Sequence, residues 1–153
     1  MDAYADPPGM PDDERMTGVE LKTIREWLGL GGDWLAEYLD VSPRAVRHWE
    51  AGKRLIPDGV RLEVERLEAV TAQYVAAGVE ALTDARDPAV VTYYSDEQYR
   101  QAYPEETWPA TWHRRVVARI AQEVPRLVIM SPPNDDEWSP AAAPPKVTGM
   151  GLT

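Results

Sequence analysis

GDWLAEYLDVSPRAVRHWEA, residues Gly32 to Ala51, decides the fold of this chain. Leu35, Leu39, Val46 and Trp49 recur at the spacing that turns one stripe of each of two helices inward, and Ala36 is small where the second helix must cross the first closely. The bend falls at Leu39-Asp40-Val41. A tight turn there needs a positive φ, which Gly adopts most easily and for which Asp is among the few other enriched residues. Ser42 then offers an N-cap hydroxyl, and Pro43 occupies the first helical position, where its missing N–H costs nothing. The stretch reads as a helix-turn-helix.

The outer face of the second helix carries Arg44, Arg47 and His48, opposite Val46 and Trp49. Such a face can enter a major groove: the Arg fork matches the two acceptors on a guanine edge, and His can donate to a base or a phosphate. Gly52 is suited to end the helix in a left-handed conformation, and Lys53 and Arg54 follow on a loop that would sit near phosphates. The alternative is an ordinary pair of packed helices with a solvated basic face. The combination of turn, cap and basic pattern weighs against it.

The longer run LKTIREWLGL...LAEYLDVSPRAVRHWEAGKR resembles the XRE, or Cro/C1-type, helix-turn-helix family of bacterial and phage transcription regulators, over about residues 17 to 70. The resemblance implies that Ser42, Pro43, Arg44, Arg47 and His48, at the start and on the outer face of the third helix, make the base contacts. It also implies phosphate contacts. In the family the second helix opens with a Thr or Ser cap and a phosphate-holding Gln, where this chain has Gly31, Gly32 and Asp33. The backbone N–H at Gly32 can still meet a phosphate at the positive end of the helix dipole, with Asp33 opposing it. Asp40 stands where the family usually has the turn Gly.

Composition bounds the rest. At 153 residues the chain makes one compact domain or two small ones. It has no Cys, hence neither a disulfide framework nor a thiolate metal site, and a reducing cytoplasm is the expected compartment. No run of eighteen apolar residues occurs, and the acidic start MDAYADPPGMPDDER is unlike a secretory leader, so no membrane role is expected. The net charge of −10 argues against nonspecific coating of nucleic acid. Its distribution matters more. Residues 1–16 carry five acids and one base, residues 17–56 six of each, and residues 57–153 fifteen acids and nine bases. Within residues 42–54, Arg44, Arg47, Lys53 and Arg54 face only Glu50, a local charge of +3. A small basic tip on an acidic body binds DNA weakly by itself, which makes dimerisation nearly a requirement.

Thr17 and Glu20 form a capping-box pair at the start of a first helix, whose apolar stripe is Leu21, Ile24, Trp27 and Leu28. Residues 1–16 lack that periodicity and are expected to be a disordered arm. From Asp58 a long helix is predicted to about Leu82, with Val60, Val64, Leu67, Thr71, Tyr74, Gly78 and Ala81 alternating by four and three; the stripe is read as core in preference to an interchain seam, with a break at Gly78. After the linker Asp84 to Pro88, AVVTYY and RLVIM read as strands, pairing within one chain or across a dimer. Between them lie a helix capped by Ser95 in a second capping box with Gln98, and a helix opened by Thr107, Trp108 and Pro109 whose buried stripe is Trp112, Val116, Ile120 and Val124. The predicted fold is therefore mainly α: a helix-turn-helix bundle with its long following helix over residues 17–83, then a small α/β part, strand-helix-helix-strand, over 88–131. Residues 132–153, rich in Pro and Ala and holding the isolated Trp138, are expected to be a disordered tail.

That layout, with TGVELKTIREWLGL, PRAVRHWEAGK and VTYYSDEQYRQAYPE, is similar to the anti-CRISPR-associated (Aca) and YdiL-like branch of the XRE group. The likeness implies a homodimer joined through its C-terminal part that binds a palindromic operator on double-stranded DNA and represses the promoter bearing it. A twofold dimer would set two third helices about one DNA turn, roughly 34 Å, apart.

No enzyme is indicated. His48 and His113, the two histidines, assemble no triad and no metal-ligand spacing, and the glycines around Gly31 lack the Lys and Ser or Thr of a phosphate loop. No cofactor is expected. Tyr93, Tyr94, Tyr99, Tyr103, Trp108 and Trp112 could line a stacking pocket, although in a chain lacking Phe they read better as core. Two functional readings remain: an autorepressor, or an antitoxin or immunity protein whose acidic C-terminal half binds a protein partner while the helix-turn-helix represses the shared operon.

Overall fold

A computed structural model describes residues 15–133; the stretches 1–14 and 134–153, which hold most of the expected arm and the expected tail with Trp138, lie outside the described residues. Along the described chain run α1 (Gly18–Trp27), α2 (Gly32–Leu39), α3 (Pro43–Glu50), α4 (Asp58–Thr83), β1 (Ala89–Val91), α5 (Asp96–Ala102), α6 (Ala110–Glu123) and β2 (Val128–Met130). The mainly helical fold with a strand-helix-helix-strand end is the one predicted. Two compact units divide within α4, between Val70 and Thr71. The long helix thus contributes to both.

In the first unit α1 opens on the expected capping box: the Glu20 N–H donates to Thr17 Oγ1 and the Thr17 N–H to Glu20 Oε1, each at 3.1 Å. Order begins earlier than the sequence suggests. Met16, placed in the arm, is buried, as is Leu21. These two flank the N-cap at the positions of a hydrophobic staple, a signal that periodicity alone passes over. Just before it, Arg15 Nε lies 3.4 Å from Oδ1 of the buried Asp58 at the start of α4. Leu35, Ala36, Leu39, Val46 and Trp49 are buried as expected, together with Val60, Val64 and Leu67 of α4. Val19 on α1 points the other way and is exposed.

In the second unit the two residues that weaken the α4 stripe as a coiled-coil seam are the ones its packing needs. Trp112 Nε1 donates to Thr71 Oγ1 at 3.0 Å, satisfying a buried indole that an aliphatic residue would orphan. At Gly78 a Cβ would collide with the Ile120 side chain, so the close approach of α6 requires the missing side chain. The break expected at Gly78 is absent: α4 runs through it to Thr83. After Gly78 the buried position moves to Leu82, leaving Ala81 exposed, as a 3.6-residue period requires and a heptad does not.

The strands pair parallel within one chain, Ala89 opposite Val128, Val90 opposite Ile129 and Val91 opposite Met130. Parallel strands need a long crossover, here supplied by α5 and α6. Ser95 caps α5 by accepting from the Gln98 N–H, but the predicted second capping box is incomplete, because the Gln98 side chain instead accepts the N–H of Tyr94. The first free N–H of α6, at Ala110, donates to Asp96 Oδ1 of α5 at 2.7 Å. Trp112, Val116, Ile120 and Val124 are buried as predicted.

Candidate DNA interface

The turn between α2 and α3 has the geometry its residues dictate. Gly31 caps α2 without a side-chain bond, and α2 ends on Asp40 at φ 55 and ψ 45, the left-handed conformation assigned to it from the sequence. The Asp40 and Val41 N–H groups donate to the carbonyls of Glu37 and Ala36, closing the turn. Ser42 Oγ accepts the Ala45 N–H at 3.1 Å with Pro43 at the first position, so α3 starts where predicted. At its other end the Gly52 N–H reaches the Trp49 carbonyl and the Lys53 N–H reaches the His48 carbonyl, with Gly52 at φ 72. This is the Schellman-type closure that a glycine after the helix favours.

Between those ends α3 is sharply two-sided. Ala45, Val46 and Trp49 are buried, whereas Ser42, Pro43, Arg44 and Arg47 are exposed and His48 is half-buried. Lys53 and Arg54 are exposed on the loop, and Gly32 is half-buried at the start of α2 with no atom near the position of a Cβ. Among the described residues Arg44, Arg47, Lys53 and Arg54 make no ion pair. The His48 imidazole is pushed below its ordinary value, first by lost hydration and then by the positive fields of Arg44, Arg54, Lys53 and Arg47. All four cations therefore converge on one patch around it.

Sequence reasoning missed one contributor. Glu50, the sole acid within residues 42–54, is held by Arg25 of α1, whose Nη2 and Nε donate to its Oε1 at 2.8 and 2.9 Å while Nη1 donates to the Leu30 carbonyl. The local charge carried by free cations is thus four, where counting residues gives +3. Twenty-five residues separate the partners, and nothing in the sequence pairs them. The same corner is held close by Gly18, whose Cβ would run into the carbonyl oxygens of Trp49 and Glu50.

His113 is buried, bonded to Thr92 Oγ1 at 2.8 Å, and burial, then Arg114, lower its pKa to about 4, so it is neutral near pH 7. Tyr93, Tyr99, Trp108 and Trp112 are buried, with Trp108 stacked on Trp112 at 4.2 Å and Tyr93 on Tyr99 at 5.0 Å. Tyr99 donates to Glu106 Oε2, and burial followed by the Glu106 carboxylate pushes its phenol up, keeping it a neutral donor. The aromatic cluster is core, apart from Tyr103, which is half-buried, and Tyr94, which is exposed. No group of three or more potential ligands among the described residues could hold a metal ion. No helix of the described residues is long and apolar enough to cross a membrane.

The sequence model described as Aca2/YdiL-like matches residues 16–128. The chain belongs to the Aca2/YdiL-like family. A relative in Pectobacterium phage ZF40, named as the Aca2 repressor, is 30% identical over 113 residues, which cover 73% of this chain and 91% of the relative. The family match begins at the buried Met16 and ends at Val128 in β2, so it spans the helix-turn-helix and most of the strand-helix-helix-strand part.

Proposed function

We propose that this chain is a transcriptional repressor that binds double-stranded DNA as a homodimer on an inverted-repeat operator. The observation that carries the reading is the cation patch on α3, with Arg44, Arg47 and His48 over the buried Ala45, Val46 and Trp49, and with its sole acid neutralised from beneath by Arg25. Ser42, Pro43, Arg44, Arg47 and His48 meet base edges; Gly32, Lys53 and Arg54 meet phosphates. The relative's name as a repressor supports the same role.

The dimer contact is the free edge of β2. Val128, Ile129 and Met130 are 55%, 48% and 40% exposed in succession, the kind of unprotected apolar edge that templates pairing with another strand. The apolar stripe of α4 is already buried within the monomer from Val60 to Gly78, which leaves it little to offer a second copy. Such a protein works in the cytoplasm and needs no cofactor. Selection of bound fragments from random duplexes tests the reading, with an enriched palindrome expected. Unmoved amide signals of residues 42–54 on titration with the best duplex would overturn it. Purification of the chain from its native host should give a bare dimer; a stoichiometric small protein travelling with it would favour the antitoxin or immunity reading.

A further inference from the structure

The loop between α3 and α4 carries a residue that the base and phosphate assignments do not use. Leu55 is 77% exposed, more than any other large apolar side chain described in the first unit. Single exposed leucines are ordinary on protein surfaces. Its setting is not ordinary. The loop is pinned at one end by the Lys53 N–H on the His48 carbonyl, at 2.9 Å, and at the other by the buried Ile56 followed by Pro57, so Leu55 is held outward on a short, fixed backbone. Immediately before it stand Lys53 and Arg54, exposed and without ion pairs among the described residues.

We propose that Leu55 is an apolar DNA contact: it enters the minor groove next to the major-groove segment read by α3 and packs against one base step there. This rests on the DNA-binding reading above. A helix seated in the major groove delivers the loop that follows it to the bordering phosphates, where Lys53 and Arg54 belong. A side chain one residue farther along reaches past that backbone. Having no donor or acceptor, it can gain there only by covering sugar edges and wedging a step open, as apolar side chains of minor-groove binders do. The consequence is sequence preference at a position no polar group reads, because flexible pyrimidine–purine steps open more readily than A-tracts.

The test uses the full chain and its selected operator duplex, with 2-aminopurine placed in turn at each position flanking the half-site. Wild type should brighten the probe at one step, L55M should keep that signal, and L55A should lose it with about tenfold weaker binding, the loss expected for one unburied leucine. Replacing that step by a stiff A-tract should weaken wild type and leave L55A unchanged. Because Leu55 is exposed, L55A should melt with wild type. Equal probe signals and equal affinities for wild type and L55A would overturn the inference while leaving the operator reading intact; a shift of the L55A monomer–dimer equilibrium by sedimentation, with DNA signals unmoved, would assign Leu55 to a contact between copies instead. Failure of wild type to enrich any duplex would remove the operator reading itself, and this inference with it.

Discussion

Replacing Gly18 by Ala tests the packing that presents α3, the proposed recognition helix. The new Cβ would lie in collision range of the Trp49 carbonyl oxygen and 2.8 Å from that of Glu50, where ordinary contact begins at 3.4 Å. Both obstacles are backbone atoms in the last turn of α3, which cannot rotate away as a side chain can. Either α1 or α3 must retreat by roughly 0.6 Å or more. Overpacking of this kind costs about 1–3 kcal/mol, and the lower chain entropy of Ala in the unfolded state returns about 0.4–1 kcal/mol, for a net loss of about 1–2 kcal/mol. In a unit of this size that is a fall of roughly 4–8 °C in Tm per kcal/mol. Gly32→Ala is the matched control: nothing lies within 4 Å of its Cβ position, so only the entropic gain remains. Thermal melts followed by far-UV circular dichroism should move the two variants in opposite directions. A Gly18→Ala protein as stable as wild type would mean that α1 does not brace α3 as described.

Arg47→Ala should cost about 1–3 kcal/mol on the selected operator and relax preference at one base pair, read by competition with single-base variants; unchanged preference would take Arg47 off the base edges. Lys53→Ala should instead weaken binding to all duplexes alike and make the salt dependence shallower by about one ion, so an unaltered slope would reject a phosphate contact. Trp49→Ala removes a large, fully buried aromatic and should destabilise the first unit by about 3–5 kcal/mol in urea titrations. His113, with its folded pKa lowered to about 4 from an ordinary 6.5, leaves the unfolded chain binding the extra proton between those values. Stability should therefore decline as pH falls from about 6.5 and level off below about 4, by an amount on the order of 3 kcal/mol. The difference between wild-type and His113→Gln unfolding curves across that range isolates the effect, and parallel curves would contradict it.

What the sequence made legible is local. The αL turn at Asp40, the Ser42-Pro43 start of α3 and the Thr17–Glu20 box each involve residues within four of one another, and each is found as read. Stripes at helical spacing likewise placed the cores of α3 and α6. Partners distant in the chain were not legible. Arg25 and Glu50 are each ordinary charged helix residues until two helices cross, and Thr71 and Gly78 look like flaws until α6 lays an indole and an isoleucine against them. The parallel pairing of β1 with β2 was also out of reach, because three-residue strands carry too little pattern to fix direction.

The charge distribution and the proposed operator binding constrain each other. If Lys53 and Arg54 meet phosphates as proposed, a dimer would neutralise about four phosphates and its affinity would fall with salt to a power of roughly 3.6. That is a shallow dependence for a DNA-binding protein, and a net charge of −10 per chain further discourages loose association with the duplex at large. On that reading the acidic body would remove more nonspecific than specific affinity, since only the operator would return the base contacts proposed for α3. A monomer with this charge balance would gain too little from one half-site to remain bound at cellular salt. On the proposed operator both half-sites would have to be engaged together, which would make an intact β2 edge as necessary for the proposed repression as the arginines assigned to the bases.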